Sequence, residues 1–144
     1  MARVGDLLVR KGSRIVAISP AESVQRAVEM LVENNIGSLL VRDGDAVIGI
    51  FTERDYLRRV ALENIDSRVT RVREVMTRGL LFVSPDCGVH ECMAIMTRER
   101  IRHLPVMEAD RAVGMISIGD LVKHLSDERE VEVRALTDYI TGRA

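Results

Sequence analysis

Aromatic side chains are scarce in this 144-residue chain: it has no tryptophan, two phenylalanines (Phe51, Phe82) and two tyrosines (Tyr56, Tyr139). A core must therefore be built from aliphatic residues and seven methionines, and few rings are on offer to stack on exposed bases. A charge excess of either sign is also missing. The 21 Lys and Arg and 22 Asp and Glu leave a net −1, with both signs interspersed. Nucleic-acid affinity comes largely from clustered cations that neutralise phosphates. The local run around Arg54, Arg58 and Arg59 has no chain-wide basic excess behind it, which argues against such a partner. No apolar stretch approaches bilayer length and the N-terminus lacks the apolar segment of a secretory leader, so a cytoplasmic protein without membrane contact is expected. The only cysteines are Cys87 and Cys92. They read as reduced thiols, with Cys92 on a buried helix face. A metal site adding His90 lacks a second ligand pair at zinc-like spacing, so no metal is expected. Catalytic signatures are missing as well: no Walker A lysine loop, no Gly-x-Gly-x-x-Gly, no Gly-x-Ser-x-Gly, and His90-Glu91 lacks the second histidine of His-Glu-x-x-His. With three histidines in all, little is left for acid–base chemistry, and no enzyme activity is expected.

What is present is a duplication. Ile18-Ser19-Pro20 returns 65 residues later as Val83-Ser84-Pro85. At that shift residues 15–59 align with 80–124 without a gap, with nine identities in 45 positions, Val24/Val89, Ile36/Ile101, Asp45/Asp110, Gly49/Gly114 and Asp55/Asp120 among them. Each copy opens with a short apolar run (Ile15 to Ile18, Leu80 to Val83) ending in Ser-Pro, a pair that suits a helix start with Ser as cap and Pro in the first turn. Val24, Ala27, Val28, Leu31 and Val32 follow at one-face helical spacing, answered by Val89, Cys92, Met93 and Met96. Two strands come next in each copy, Ser38 to Arg42 and Ala46 to Phe51, then His103 to Met107 and Ala112 to Ile116. The turns are Asp43-Gly44-Asp45 and Glu108-Ala109-Asp110. A second helix closes each copy from about Glu53 and about Ile118. The expected fold is α/β (α+β): two tandem β-α-β-β-α repeats, residues 4–62 and 71–126, packed as one pseudo-twofold module, since one unit alone buries too little. Residues 63–70 read as a polar linker. Residues 127–144 read as a helical extension, with a helix from Glu128 to Ile140 whose Val133, Leu136 and Ile140 must bury against a second copy or the module itself.

Two segments carry the chemistry: Gly49-Ile50-Phe51-Thr52-Glu53-Arg54-Asp55 and Gly114-Met115-Ile116-Ser117-Ile118-Gly119-Asp120. Both read glycine, two apolar residues, a hydroxyl, two variable residues and Asp, where a strand hands over to a helix, a place where open sheets commonly put ligands. A hydroxyl followed three residues later by an acid is also a helix-capping pattern that needs no ligand. Recurrence in both copies, and Asp where a capping box favours Glu or Gln, point to a nucleotide. The helix start and hydroxyl suit a phosphate, the carboxylate suits paired ribose hydroxyls, and Arg54 and Arg102-His103 suit phosphate oxygens.

With these motifs in order and spacing, the chain resembles the CBS domain pair, or Bateman module, from about Val4 to Ser126, and is similar to small bacterial proteins that contain little else. The shared hallmarks are Thr52-Glu53-Arg54-Asp55-Tyr56, Arg102-His103-Leu104-Pro105-Val106 and the closing Tyr139-Ile140-Thr141-Gly142. The resemblance implies a non-catalytic sensor that binds AMP, ADP, ATP, NAD(H) or S-adenosylmethionine in two clefts between the copies, a homodimer, and an effector protein that the sequence does not identify. Carried over by position, Asp120 and Ser117 hold ribose and phosphate in one cleft, with the Ser19-Pro20 edge of the other copy near the adenine. Asp55, Thr52 and Arg54 serve the second cleft, with Ser84 opposite. Ile36-Gly37-Ser38 and Ile101-Arg102-His103 line bases and phosphates. Gly37-Ser38 in place of a basic pair, and Gly119 in place of Arg54, imply unequal clefts. The alternative is a ligand-free structural or partner-docking module in which the motif residues only cap helices.

Overall fold

The computed structural model describes residues 2–12 and 14–141. Helix α1 (Val4–Lys11) precedes the first repeat, which runs β1 (Ala17–Ile18), α2 (Val24–Asn34), β2 (Ser38–Asp43), β3 (Ala46–Thr52) and α3 (Glu53–Tyr56), continued by a π-helical segment (Leu57–Ala61). The short α4 (Val72–Val75) precedes the second repeat, which runs α5 (Val89–Glu99), β4 (His103–Glu108), β5 (Arg111–Ser117) and α6 (Ile118–Thr141). In the first repeat β1 pairs parallel to β2 and β2 antiparallel to β3; β4 and β5 repeat the antiparallel pairing. The hairpins turn at Gly44 (φ 61°) and at Ala109 and Asp110 (φ 50° and 62°), and both long inner helices end on a left-handed residue, Asn35 and Arg100.

The two helices that stand outside the duplicated stretch are exchanged between the repeats. Val4 and Gly5 at the start of α1 donate to the carbonyls of Cys87 and Pro85 in the second repeat. Val72 and Arg73 at the start of α4 donate to the equivalent Glu22 and Pro20 carbonyls in the first. Backbone N–H groups that a helix cannot satisfy internally are thus satisfied across the chain. The apolar faces follow. Val4, Leu7 and Leu8 complete a core with Val83, Val89, Cys92, Met96, Leu104, Val106, Ile116 and Leu121. Val72, Val75 and Met76 complete the other with Ile18, Val24, Ala27, Leu31, Leu39, Val41, Phe51 and Val60. Each fully buried aliphatic side chain contributes about 1.5–3 kcal/mol, so three such residues decide whether a core this small closes. The paired glycines make room for the exchange. A Cβ on Gly114 would lie 2.7 Å from Leu8 of α1, and one on Gly49 would lie 2.7 Å from Met76 Sδ and 2.9 Å from the Thr77 carbonyl. Arg59 locks α4 in place by donating to the Val75 and Met76 carbonyls at 3.1 and 2.8 Å.

Several details differ from the sequence reading. Ser-Pro does not start the inner helices. Helix α2 begins at Val24 under a Ser23 cap, whose side chain accepts from Arg26 N, and α5 begins after Gly88. Ser19 and Ser84 instead accept from Ala21 and Asp86 in short turns, which leave the Pro20 and Pro85 carbonyls free for α4 and α1. The opening strands shrink to Ala17–Ile18 in one repeat and a single parallel bridge between Val83 and Val106 in the other. Val28 of the expected helix face is half-buried and Val32 is 75% exposed, because α2 covers the sheet with a narrower stripe than the pattern suggests. The C-terminal helix is no separate element: α6 runs unbroken from Ile118, and Val133, Leu136 and Ile140 lie exposed on it. Gly142 of the closing hallmark lies outside the described residues.

Candidate functional site

The strand ends bring the motif residues together. Register pairs Ser38 with Thr52 and His103 with Ser117, so the Gly37-Ser38 and Arg102-His103 segments lie directly beside the two hydroxyl positions. The first residue of each following helix is tied there as well: Glu53 N donates to the Gly37 carbonyl at 3.1 Å and Ile118 N to the Arg102 carbonyl at 2.8 Å. The two repeats meet at this seam. A Cβ on Gly37 would come within 3.0 Å of Glu53 Oε1 and 3.2 Å of His103 Nε2, so the missing side chain is what lets the histidine of one repeat reach the backbone of the other.

Both Asp side chains cap their helices. Asp55 accepts from Thr52 N at 3.0 Å while Thr52 Oγ1 accepts from Asp55 N at 3.1 Å. Asp120 and Ser117 repeat the exchange at 2.8 and 3.1 Å. The expectation that Asp in this place argues against a capping box is therefore overturned: the shorter side chain closes the box in both repeats. Each carboxylate also receives a second donor from the exchanged segments. Thr77 Oγ1, just beyond α4, donates to Asp55 Oδ1 at 2.9 Å, and Lys11 Nζ at the end of α1 donates to Asp120 Oδ2 at 2.6 Å and to the Met115 carbonyl at 2.8 Å.

The two sites differ in electrostatics. Asp55 is buried at 7% exposure with a donor on each oxygen. Asp120 is more open, and its protein donors all fall on Oδ2. Burial by itself pushes the Asp120 carboxyl up, but the Lys11 ammonium and the Ser117 donors outweigh it and hold the group below the usual carboxylate value. His103 is held below its ordinary value of 6.5 chiefly by burial, with Lys11 and Arg102 adding to the effect and Glu53 and Asp120 opposing it. Lys11, Glu53, Arg102, His103 and Asp120 thus form one ionisable cluster at the seam. Arg54 is exposed on α3. Ser19-Pro20 sits against α4 and Ser84 against its own turn; among the described residues neither makes a hydrogen bond to Asp120 or Asp55. Ile36 and Ile101 are partly buried and pack on the two cores.

Sequence reasoning missed Lys11, Thr77 and Glu53. Glu53 stood in the motif as a variable position. Lys11 closes α1 and Thr77 lies just beyond α4, two helices that align with each other at a shift of 68 rather than 65: Arg3 and Asp6 form one helix start, Arg71 and Glu74 the other. The three-residue difference hides the correspondence from an ungapped comparison. Among the described residues no group of three His, Cys, Asp or Glu side chains is placed to hold a metal ion, and Cys87, His90 and Cys92 form no such group. Cys92 is fully buried, and its thiol is pushed up to about 12 by burial and by the neighbouring Cys87 and Glu91. No helix is long and apolar enough to cross a membrane among the described residues.

Comparison with known proteins places this geometry. The CBS domain profile matches residues 4–62 and 72–127. The chain is similar to the mitochondrial CBS domain-containing protein CBSX3 of Arabidopsis thaliana, 39% identical over 126 residues, covering 84% of this chain and 61% of that protein's length. It is also similar to a putative signal-transduction protein with CBS domains from Burkholderia ambifaria, with a TM-score of 0.83, 43% identity, and coverage of 86% of this chain and 93% of that one. The CBS domain pair of protein MJ0100, solved in complex with 5-methylthioadenosine and S-adenosyl-L-methionine, shares the fold at a TM-score of 0.79 and 22% identity, covering 89% of this chain and 98% of that one.

Proposed function

The chain belongs to the CBS domain family, and from that membership we propose that it is a non-catalytic regulatory module whose two seam clefts bind adenine nucleotides. The observation that carries the reading is the pairing of two pseudo-equivalent sites, Thr52/Asp55 and Ser117/Asp120, each beside the start of the neighbouring strand of its own repeat, where Gly37 of one repeat meets His103 of the other. Two such sites on one seam let a ligand favour one relative placement of the repeats, and a difference in affinity between placements is all a sensor requires. The MJ0100 pair, solved with two adenosine-containing ligands, supports the ligand class.

Asp120 is the better ribose acceptor. Its Oδ1 carries no protein donor among the described residues, whereas Asp55 has a donor on each oxygen and little exposure. Arg102 and His103 then face phosphate, and the Asp55 cleft opens only if Thr77 releases its hydrogen bond. A neutral capping hydroxyl and a backbone amide add donors at each helix start. The chain is proposed to act as a homodimer, with the exposed Val133, Leu136 and Ile140 face of α6 meeting a second copy, and to pass its ligand state to an effector protein in the cytoplasm. The reading in which the motifs serve only as caps rests on the observed capping boxes, each worth about 1 kcal/mol without any ligand.

Thermal melts and calorimetry with adenosine, AMP, ADP, ATP, NAD and S-adenosylmethionine separate the two. A ligand at 100 times its Kd adds about 2.7 kcal/mol, several degrees for this size. Asp120→Asn is expected to abolish the tighter binding event while the chain stays folded. A flat response to the whole panel, with Asp120→Asn merely less stable, would leave the capping reading standing and end the sensor proposal.

A further inference from the structure

We infer that α1 is a releasable strap while its counterpart α4 is a fixed one, and that the Lys11–Asp120 ion pair is the catch. The two helices start alike. Val4 and Gly5 donate to the Cys87 and Pro85 carbonyls, Val72 and Arg73 to those of Glu22 and Pro20, and Val89 and Val24 donate back to the Ala2 and Thr70 carbonyls. Their ends differ. Just past α4, two backbone hydrogen bonds stitch Thr77 to β3: Thr77 N to the Ile50 carbonyl at 2.8 Å, and Ile50 N to the Thr77 carbonyl at 3.0 Å. The Thr77 hydroxyl donates to Asp55, and Arg59 caps the Val75 and Met76 carbonyls. At the shift of 68, α1 has Val9 in the place of Thr77, still helical and 85% exposed. One side chain stands in for the missing stitches. Lys11 Nζ donates to the carbonyl of Met115, the repeat partner of Ile50, and to Asp120, the repeat partner of Asp55.

The Arg59 cap has no substitute. His124 holds that position in the second repeat, but α1 runs on, and the Leu8 carbonyl, which corresponds to that of Met76, is already taken by Gly12 N at 2.9 Å. Neither buried ring nitrogen of His124 makes a hydrogen bond. A cavity of about 400 Å³ lies between Leu7, Arg10 and Lys11 of α1 and the His124 side of α6, so the last turn of α1 is loosely packed there. The Lys11 and Asp120 side chains are 40% and 25% exposed, and an ion pair so placed is weak beside backbone bonds and is screened by salt. Stability within a fold is uneven, and the segment with the fewest buried anchors opens first. Opening lifts Leu7 and Leu8 off the second core and uncovers Gly114 beneath Leu8. The catch also meets the ligand. A ribose that donates both hydroxyls to Asp120 needs Oδ2, the oxygen Lys11 holds, so an occupied cleft frees the strap. That coupling rests on the proposed nucleotide reading; the strap itself does not.

Amide hydrogen exchange on the full chain, followed residue by residue by NMR, tests it. The Arg10, Lys11 and Gly12 amides are expected to be at least about tenfold less protected than those of Met76 and Thr77. Raising sodium chloride from about 0.05 to about 0.5 M should speed the α1 amides and leave the α4 pair unchanged. Lys11→Met keeps the aliphatic stem and removes the catch. It should speed the α1 amides at least about threefold, with Met76 and Thr77 as the internal check that the chain stays folded. Equal protection of the two helix ends in the parent, or α1 amides indifferent to salt or to Lys11→Met, overturns the inference. Saturating AMP, its binding followed by calorimetry, is expected to speed the α1 amides of the parent and not those of Lys11→Met, where the catch is already gone. AMP that binds without loosening α1 overturns the coupling. AMP that does not bind counts against the nucleotide reading, and the salt and variant arms still decide the strap.

Discussion

At the residue scale, His103 couples the seam to pH. Burial is the main force holding its imidazole below 6.5, so the folded state disfavours the proton that the unfolded chain accepts. Its contribution is therefore constant above pH 6.5 and declines as pH falls below that, levelling off under the depressed folded value. Asp120 is also depressed, from an ordinary 3.8, so its share of stability is present above that pH and lost as acid titrates the folded group. The two windows are distinct. Melting temperature measured from pH 8 to pH 3 should decline first below 6.5 and again below 3.8. In His103→Gln the first decline should become shallower while the second remains. An unchanged slope between pH 6.5 and 4.5 in that variant would show that His103 is not held neutral by the fold.

At the scale of elements, the exchanged helices set the tolerance of the sheets. Gly49→Ala meets a backbone carbonyl at 2.9 Å as well as Met76, whereas Gly114→Ala meets only the movable end of Leu8. Overpacking of this kind costs about 1–3 kcal/mol, and the backbone contact puts Gly49→Ala at the upper end. Urea midpoints should therefore order as parent, then Gly114→Ala, then Gly49→Ala; the reverse order would contradict the packing described. The same elements show how much the sequence discloses. The β-strand hairpins, the seam motifs and the buried Cys92 face were legible because period-2 and period-3.6 patterns recur at one fixed spacing. The helix starts were not, since Ser-Pro satisfies the local rules for a cap while its carbonyl is claimed by a helix far along the chain, through Arg73 for Pro20 and through Gly5 for Pro85. Nor was the Lys11–Asp120 pair, whose partners lie 109 residues apart with no motif linking them. Asp55 and Asp120 were found for their spacing, which is equally the spacing of a cap, and only the second donors from Thr77 and Lys11 distinguish the two sites.

At the scale of the molecule, neither half of the chain owns a finished interior. A cut in the polar stretch near Asp66 leaves an N-terminal piece without Val72, Val75 and Met76, and a C-terminal piece without Val4, Leu7 and Leu8. Each piece alone is expected to show weak helical circular dichroism and no cooperative melt, and an equimolar mixture to regain both; independent folding of either piece would contradict the exchange. The exchange also constrains the chain's ancestry. A precursor with a single repeat could have sealed its interior only by lending its leading helix to a twin and borrowing the twin's in return. Gene fusion would then have turned an obligate partnership between two molecules into an arrangement within one, and left the borrowed helix as the record of it.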